Sequence, residues 1–137
     1  FFLIILLEEI RINDICKNQI KKGKSGTREL LEFFKKGTSI ALMIDQRVSE
    51  GIRIDFFGEP AATTTIPAQL VKKYNCEIVP IYIERKNNFY FKMFVNKPIS
   101  FETTDSIENI SIFLNKLLEK MILKNPDQWI WTHDRWK

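Results

Sequence analysis

Cysteine is scarce in this 137-residue chain, with only Cys16 and Cys76, set in DICKN and YNCEI. No CxxC and no Cys/His cluster joins them, which excludes a zinc ribbon and a disulfide framework and points to a reducing compartment. Histidine is scarcer still: His133 is the only one, so a Ser or Cys triad has a single candidate base and a metal site lacks its ligands. With 5 Gly and 5 Pro beside 45% hydrophobic and 28% charged residues, the chain is neither collagen-like nor disordered. One compact domain is expected, large enough to bury a core without staples.

Long apolar runs are absent as well. The longest, Phe1 to Leu7, falls far short of the roughly 18 residues that a membrane-spanning helix needs. It carries no initiator Met, no basic flank and no small-residue cleavage site, so it does not read as a signal peptide. A hydrophobic strip at the start of a finished monomer is unusual, and the sequence reads as part of a longer protein.

Charge is present but uneven. The net charge is +4, yet Arg11, Lys17, Lys21, Lys22, Lys24, Arg28, Lys35 and Lys36 face only Asp14, Glu29 and Glu32 between residues 11 and 36. That excess fits a solvated face or an anionic partner. Nucleic acid is not expected, because residues 11 to 28 hold no aromatic on which a base would stack. A phosphorylated lipid or an anionic membrane surface suits the pattern better. Gly23-Lys24-Ser25-Gly26-Thr27 lacks the spacing of a nucleotide-binding loop; it reads as a capped turn or as a phosphate contact at a helix start.

The pattern along the chain predicts an α/β protein. Thr27 is expected to cap a helix bearing Leu30, Leu31 and Phe34, stopped at Gly37. Ser39 to Ile44 (SIALMI) reads as a buried strand with Asp45-Gln46-Arg47 at its carboxyl end, where open α/β sheets bind ligands. Ile52 to Phe57 reads as a second strand, broken at Gly58-Glu59-Pro60, and Ala61 to Thr65 as a loop. A helix follows from Pro67 through Tyr74. Ile78 to Ile83 and Phe89 to Val95 form a hairpin across Glu84–Asn88, with Pro80 calling for an edge or a bulge. Apolar residues from Ile107 to Ile122 recur at three- and four-residue spacings after Asp105 and Glu108, in capping-box-like positions. The chain closes with Trp129, Trp131 and Trp136 around His133, which reads as an imidazole packed between Trp131 and Trp136 or as a proton carrier. The order of elements gives an α/β sandwich with a mixed sheet flanked by helices.

Four segments, in order, carry a resemblance. Asp45-Gln46-Arg47-Val48-Ser49-Glu50-Gly51, Phe56-Phe57-Gly58-Glu59-Pro60-Ala61, Ile78-Val79-Pro80-Ile81 and the ending Pro126-x-Gln128-Trp129-x-Trp131-x-His133-x-Arg135-Trp136-Lys137 resemble the lipid A biosynthesis acyltransferases of the late lauroyl/myristoyl type. The similarity runs from about Lys24 to Lys137, with a vaguer match over Phe1 to Gly23. It implies a glycerol-phosphate-acyltransferase-like fold and transfer of a fatty acyl group from acyl carrier protein to a Kdo-bearing lipid A precursor, at the cytoplasmic face of a bacterial inner membrane. It implies no cofactor, acyl-acyl carrier protein being the donor substrate.

The catalytic signature of that family, His-x4-Asp/Glu, pairs a general base with an orienting carboxylate. It is absent here, since five residues past His133 lies beyond Lys137. The sequence is therefore expected to be the C-terminal part of a single acyltransferase domain. On matched positions, the resemblance implies that Asp45, Gln46 and Arg47 frame the site or contact the acceptor, Arg47 being suited to phosphate oxygens; the plainer reading is a salt-bridged loop at the sheet edge. Glu50 and Gly51 align with a substrate-binding Glu-Gly, and Arg85 is placed to reach an anionic substrate or to lie solvated in its turn. Arg135 and the Trp cluster read as a folded clasp or an interfacial belt. The alternatives are a non-catalytic module binding anionic lipid through Arg11 to Lys36, and an acyltransferase for another glycolipid or a phospholipid.

Overall fold

A computed structural model describes residues 9–20 and 24–137. The apolar run Phe1 to Leu7, Lys21, Lys22 and the start of the Gly23 turn lie outside the described residues. The chain divides into two compact units, Phe1–Ala41 and Leu42–Lys137.

In the first unit a short π-helical turn, Arg11–Ile15, carries no buried residue. Helix α1, Lys24–Lys35, follows. Gly26 and Leu30 are buried along one stripe, with Phe33 and Phe34 half-buried beyond them, the spacing that turns one helix face inward. Thr27 lies inside this helix instead of capping it. The stop at Gly37 is as expected: with φ at 82°, its N–H bonds to the Phe34 carbonyl at 2.9 Å and the Thr38 N–H to that of Phe33 at 3.1 Å. Those paired bonds close a Schellman motif, which needs the left-handed conformation that glycine adopts at no steric cost.

The second unit is α/β. Strands β1, Ile52–Phe56, and β2, Glu59–Thr63, pair antiparallel with Phe56 opposite Glu59. The two-residue turn between them, Phe57-Gly58, has positive φ at both positions (57° and 86°), the twist that joins adjacent antiparallel strands. Ala61 to Thr63, expected as loop, therefore belong to β2: the turn sends the chain straight back along β1, and Ala61, Ala62 and Thr63 are all buried. Helix α2, Ile66–Tyr74, starts with Pro67 in its first turn and ends at Asn75 in the left-handed region.

Strands β3, Ile81–Arg85, and β4, Phe91–Val95, form the expected hairpin, with Ile81 opposite Val95 and Ile83 opposite Met93. Pro80 cuts the predicted strand short, leaving Ile78 in an isolated bridge with Ile99. One face of this hairpin, Ile81, Ile83, Phe91, Met93 and Val95, is exposed. Helix α3, Ile107–Ile122, is capped by Ser106, whose hydroxyl accepts from the Asn109 N–H at 3.0 Å. Asp105, expected in that role, instead accepts from the Glu102 N–H at 2.9 Å, one residue outside the cap.

The predicted mixed sheet is not formed among the described residues. Both sheets are two-stranded and antiparallel. Ser39–Ile44 is not a strand: no described strand lies beside it to take its backbone hydrogen bonds, Met43 is 83% exposed, and Ile44 alone turns onto the core. Its apolar composition was equally compatible with an extended segment lying against a helix pair.

Helix α3 organises the interior. Its first half, through Ile110 and Leu114, packs on Ala68 and Val71 of α2, with Ile44, Cys76, Ile78 and Phe101 around them. Its last turn, through Ile122, packs on Phe56 and Ala61 of the β1–β2 hairpin, covered by Phe57, Leu118, Trp129 and Trp136. Phe56 is fully buried, worth about 2 kcal/mol of transfer free energy. No described helix is long and apolar enough to cross a membrane.

Candidate functional site

Residues 45–51 run from the core to the mouth of the β1–β2 hairpin. Ile44 anchors one end on the α2–α3 core. At the other, the Gly51 N–H bonds to the Val48 carbonyl at 2.8 Å, closing a turn, and Val48 bonds to the Ala62 carbonyl at 3.5 Å. A Cβ on Gly51 would sit inside the backbone of Thr63, so only glycine lets the turn lie this close to β2. Between these anchors Asp45 and Gln46 are half-buried and Arg47 is exposed.

The C-terminal tail lies against this segment. A three-residue helical turn, Pro126–Gln128, and another, Trp131–His133, fold it back. Trp129 and Trp136 pack edge-on and tilted against Phe56, with ring centroids 5.8 and 5.7 Å away, and the Trp136 indole N–H donates to the Phe56 carbonyl at 3.0 Å. The tryptophans thus form the folded clasp of the two readings above. His133 is exposed and is not packed between Trp131 and Trp136; its Nε2 accepts the backbone N–H of Arg47 at 3.0 Å. An accepting Nε2 places the ring proton on Nδ1.

Two residues further along the tail, Arg135 belongs to a buried polar cluster that periodicity did not single out. Arg135 is wholly buried. Its Nη2 donates to Asn115 Oδ1 at 2.8 Å and to Thr63 Oγ1 at 3.1 Å, and its guanidinium lies 4.1 Å from the centre of the Phe56 ring. Asn115 Nδ2 donates in turn to the Asp55 carbonyl at 2.9 Å and to Thr63 Oγ1 at 3.1 Å. Burial pulls the Arg135 pKa down to about 10, against the opposing pull of the Asp45 and Glu119 charges. The sequence held one signal for the cluster: Asn115 falls on the inward face of α3, among Ser111, Leu114, Leu118 and Ile122, where an amide is out of place unless bonded.

The sequence-predicted residues separate into two groups. Asp45, Gln46 and Arg47 are gathered with the tail, Gly51 anchors their segment and Glu50 is exposed in its turn. Arg85 stands elsewhere, at the end of β3. Its backbone N–H and carbonyl are both bonded by the Gln128 amide, at 3.0 and 2.9 Å, while its guanidinium donates to the Asn88 carbonyl at 3.1 Å and lies 4.9 Å from the Phe91 ring centre. It lines an open depression of about 440 Å³ with Ile83, Phe91, Asp127 and Gln128. The tail therefore touches both groups, Arg85 through Gln128 and Arg47 through His133.

A cation-bearing turn and a tryptophan-rich tail are thus joined beside the β1–β2 hairpin. The family model of the bacterial lipid A biosynthesis acyltransferases matches residues 12–137, and the chain belongs to that family. Among curated relatives, it is 25% identical over 124 residues to the lipid A biosynthesis palmitoleoyltransferase of Escherichia coli (strain K12), a match covering 88% of this chain and 40% of that protein. It is 31% identical over 83 residues to the lipid A biosynthesis lauroyltransferase of the same organism, covering 60% of this chain and 27% of the relative. The chain thus spans about 40% of the length of the palmitoleoyltransferase.

Proposed function

We propose that this chain supplies substrate-orienting parts of an acyltransferase that moves a fatty acyl group from acyl carrier protein to a hydroxyl of a Kdo-bearing lipid A precursor, at the cytoplasmic face of a bacterial inner membrane, on a glycerol-phosphate-acyltransferase-like fold. The observation that carries the reading is the clasp: the Asp45–Gly51 segment and the Pro126–Lys137 tail, distant in sequence and both part of the family resemblance, meet at the Arg47–His133 bond.

In the reaction the acceptor oxygen attacks the thioester carbonyl carbon, a C–O bond forms, the C–S bond breaks, and the carrier thiol leaves with the proton. A general base must take the hydroxyl proton. The family signature that supplies it, His-x4-Asp/Glu, does not occur in these 137 residues, and His133 is engaged as an acceptor for Arg47. The role proposed for this chain is therefore binding and orientation. Arg47 and Arg85 are exposed cations suited to phosphate oxygens of the acceptor; Asp45 and Gln46 frame the turn beside Arg47, and Glu50 and Gly51 close it. The exposed apolar face of the β3–β4 hairpin, with Arg85 at its end, is compatible with an amphiphilic substrate at a membrane surface.

The test is acyl transfer by the full-length protein, given acyl-acyl carrier protein and a Kdo-bearing lipid A precursor and followed by lipid mass spectrometry. One added acyl chain on the precursor is expected. No product, under conditions where the E. coli lauroyltransferase makes its own, overturns the reading; acylation of a phospholipid alone moves the substrate class.

A further inference from the structure

The β3–β4 hairpin has one edge of β3 filled and the other open. The Lys86 N–H bonds to the Tyr90 carbonyl at 2.7 Å and the Asn96 N–H to the Pro80 carbonyl at 3.0 Å, which fixes the phase of the pairing. Tyr82 and Glu84 therefore turn their backbone groups toward β4, while Ile81, Ile83 and Arg85 turn theirs away. At Arg85 the outward N–H and carbonyl are both bonded by the Gln128 amide, as a neighbouring strand would bond them. At Ile81 and Ile83 the outward groups have no hydrogen-bond partner among the described residues.

Pro80 does not close this edge. Its carbonyl is taken by Asn96, so its missing N–H lies on the β4 side and the outer edge is left whole. The row beside the edge is apolar: Ile81 and Ile83, with Val95 and Met93 opposite them, are 53 to 62% exposed. On the reverse face Tyr82 and Phe94 are half-buried, their ring centroids 6.0 Å apart. A lipid surface or an acyl chain would cover apolar side chains but holds no partner for the backbone groups, whereas a strand satisfies both. A two-stranded ribbon is also marginal without further strands. Chain to supply one exists in the family, since the palmitoleoyltransferase relative has more than half of its length outside the match.

We infer that the outer edge of β3 is a docking site for an extended segment of the same enzyme from outside these 137 residues, added as a strand beside Ile81 and Ile83. Its side chains at alternate positions are apolar and continue the exposed row, because residues on one face of a sheet share one environment. The added strand ends where Gln128 takes over at Arg85, which brings it to the rim of the depression lined by Ile83 and Arg85. The inference goes beyond the acyl-transfer reading and concerns how the sheet is completed, whatever substrate the enzyme takes.

The test is residue-resolved amide exchange on the full-length protein, in dilute solution without added lipid. Tyr82 and Glu84 are protected by β4 in any case, so the amides of Ile81 and Ile83 carry the answer. With a strand on the edge, all four are expected to exchange within about tenfold of one another. An alternating pattern, in which Ile81 and Ile83 exchange as unstructured amides do, overturns the inference. A photoreactive diazirine analogue of leucine in place of Ile83, in a mixture of light and heavy protein, then identifies the occupant by peptide mass spectrometry. A cross-link to a segment of the same polypeptide outside residues 1–137 is expected. Cross-links between light and heavy copies, to lipid, or only to residues 1–137 would overturn it, as would protection that appears only when vesicles are added. Neither measurement uses acyl transfer, so a full-length protein without that activity sinks the proposed function and leaves the docking site to be judged by its own results.

Discussion

The backbone N–H of Arg47 donates to Nε2 of His133 at 3.0 Å, joining residues 86 positions apart. A side chain that binds main chain fixes a path and is indifferent to the residue at that position. His133→Phe keeps a ring but removes the acceptor, and is expected to cost about 1 kcal/mol of stability, as typical single hydrogen bonds do. The sharper readout is amide hydrogen exchange: the Arg47 N–H should exchange faster in the variant while amides of α3 are unchanged. Equal Arg47 exchange in both proteins would mean that the contact is not populated in solution.

The closeness of that segment to the sheet predicts a second effect. In Gly51→Ala the new methyl would meet the Thr63 backbone, which is itself held in the β1–β2 ladder. Since backbone cannot turn away as a flexible side chain can, a loss of about 2 kcal/mol is expected in urea unfolding, in the range of overpacked sites. A neutral substitution would show that the turn moves off β2 at little cost.

Much of this was readable from residue order, and the failures have physical causes. The helices over Ile66–Tyr74 and Ile107–Ile122 and the β3–β4 hairpin followed from periodicity, Pro67 and the polar turn expected at 84–88, of which Glu84 and Arg85 belong to β3, because each is stabilised by neighbours close in sequence. SIALMI was misread because an apolar run records only that it avoids water, and strand formation depends on a neighbour that no local pattern reveals. The β2 strand was missed because Glu59-Pro60-Ala61-Ala62-Thr63 is poor in β-formers; the Phe57-Gly58 turn and burial against Ile122 override that propensity. At the site, Asp45–Arg47 was legible as a polar triplet after apolar residues, but its tie to His133 and the Arg135–Asn115–Thr63 cluster depend on how the tail folds back.

That cluster makes Asn115 the most sensitive polar position. Its amide accepts from Arg135 and donates to Asp55 and Thr63, with only 1% of its surface exposed. Asn115→Leu keeps a branched side chain of the same heavy-atom count but strips a buried guanidinium of its amide acceptor and leaves the Asp55 carbonyl without that donor. A loss of about 3 kcal/mol is expected by urea unfolding, at the level of breaking a buried charged hydrogen bond. A loss below the cost of His133→Phe would show that Arg135 finds another partner.

The two cysteines should differ in reactivity. Cys16 is exposed, whereas Cys76 packs against the α2–α3 core, where burial raises its thiol pKa above 9.0. A raised pKa favours the neutral thiol in the fold, so this contribution to stability is present below pH 9 and is lost as pH climbs through the folded value. Iodoacetamide at pH 8 should label Cys16 first and Cys76 slowly, with the two rates converging in denaturant. Equal native rates, read by time-resolved peptide mass spectrometry, would place Cys76 in water.

Gln128 bonds both the N–H and the carbonyl of Arg85, as a neighbouring strand would, and so holds the end of β3 beside the tail. Both bonds are exposed to solvent, so Gln128→Ala is expected to cost only about 1 kcal/mol of stability. Its larger effect should fall on Arg85, whose side chain leaves the backbone at the point that Gln128 fixes. If Arg85 grips a phosphate of the acceptor, Arg85→Ala removes a charge-assisted contact present in ground and transition states alike, and should raise KM by about tenfold or more with kcat little changed. Gln128→Ala should raise KM in the same direction but less, because the guanidinium remains and only its mooring is lost. A fall in kcat at constant KM in Arg85→Ala would place this cation at the reacting carbonyl instead of at the headgroup, and unchanged kinetics in both variants would remove Arg85 from the site.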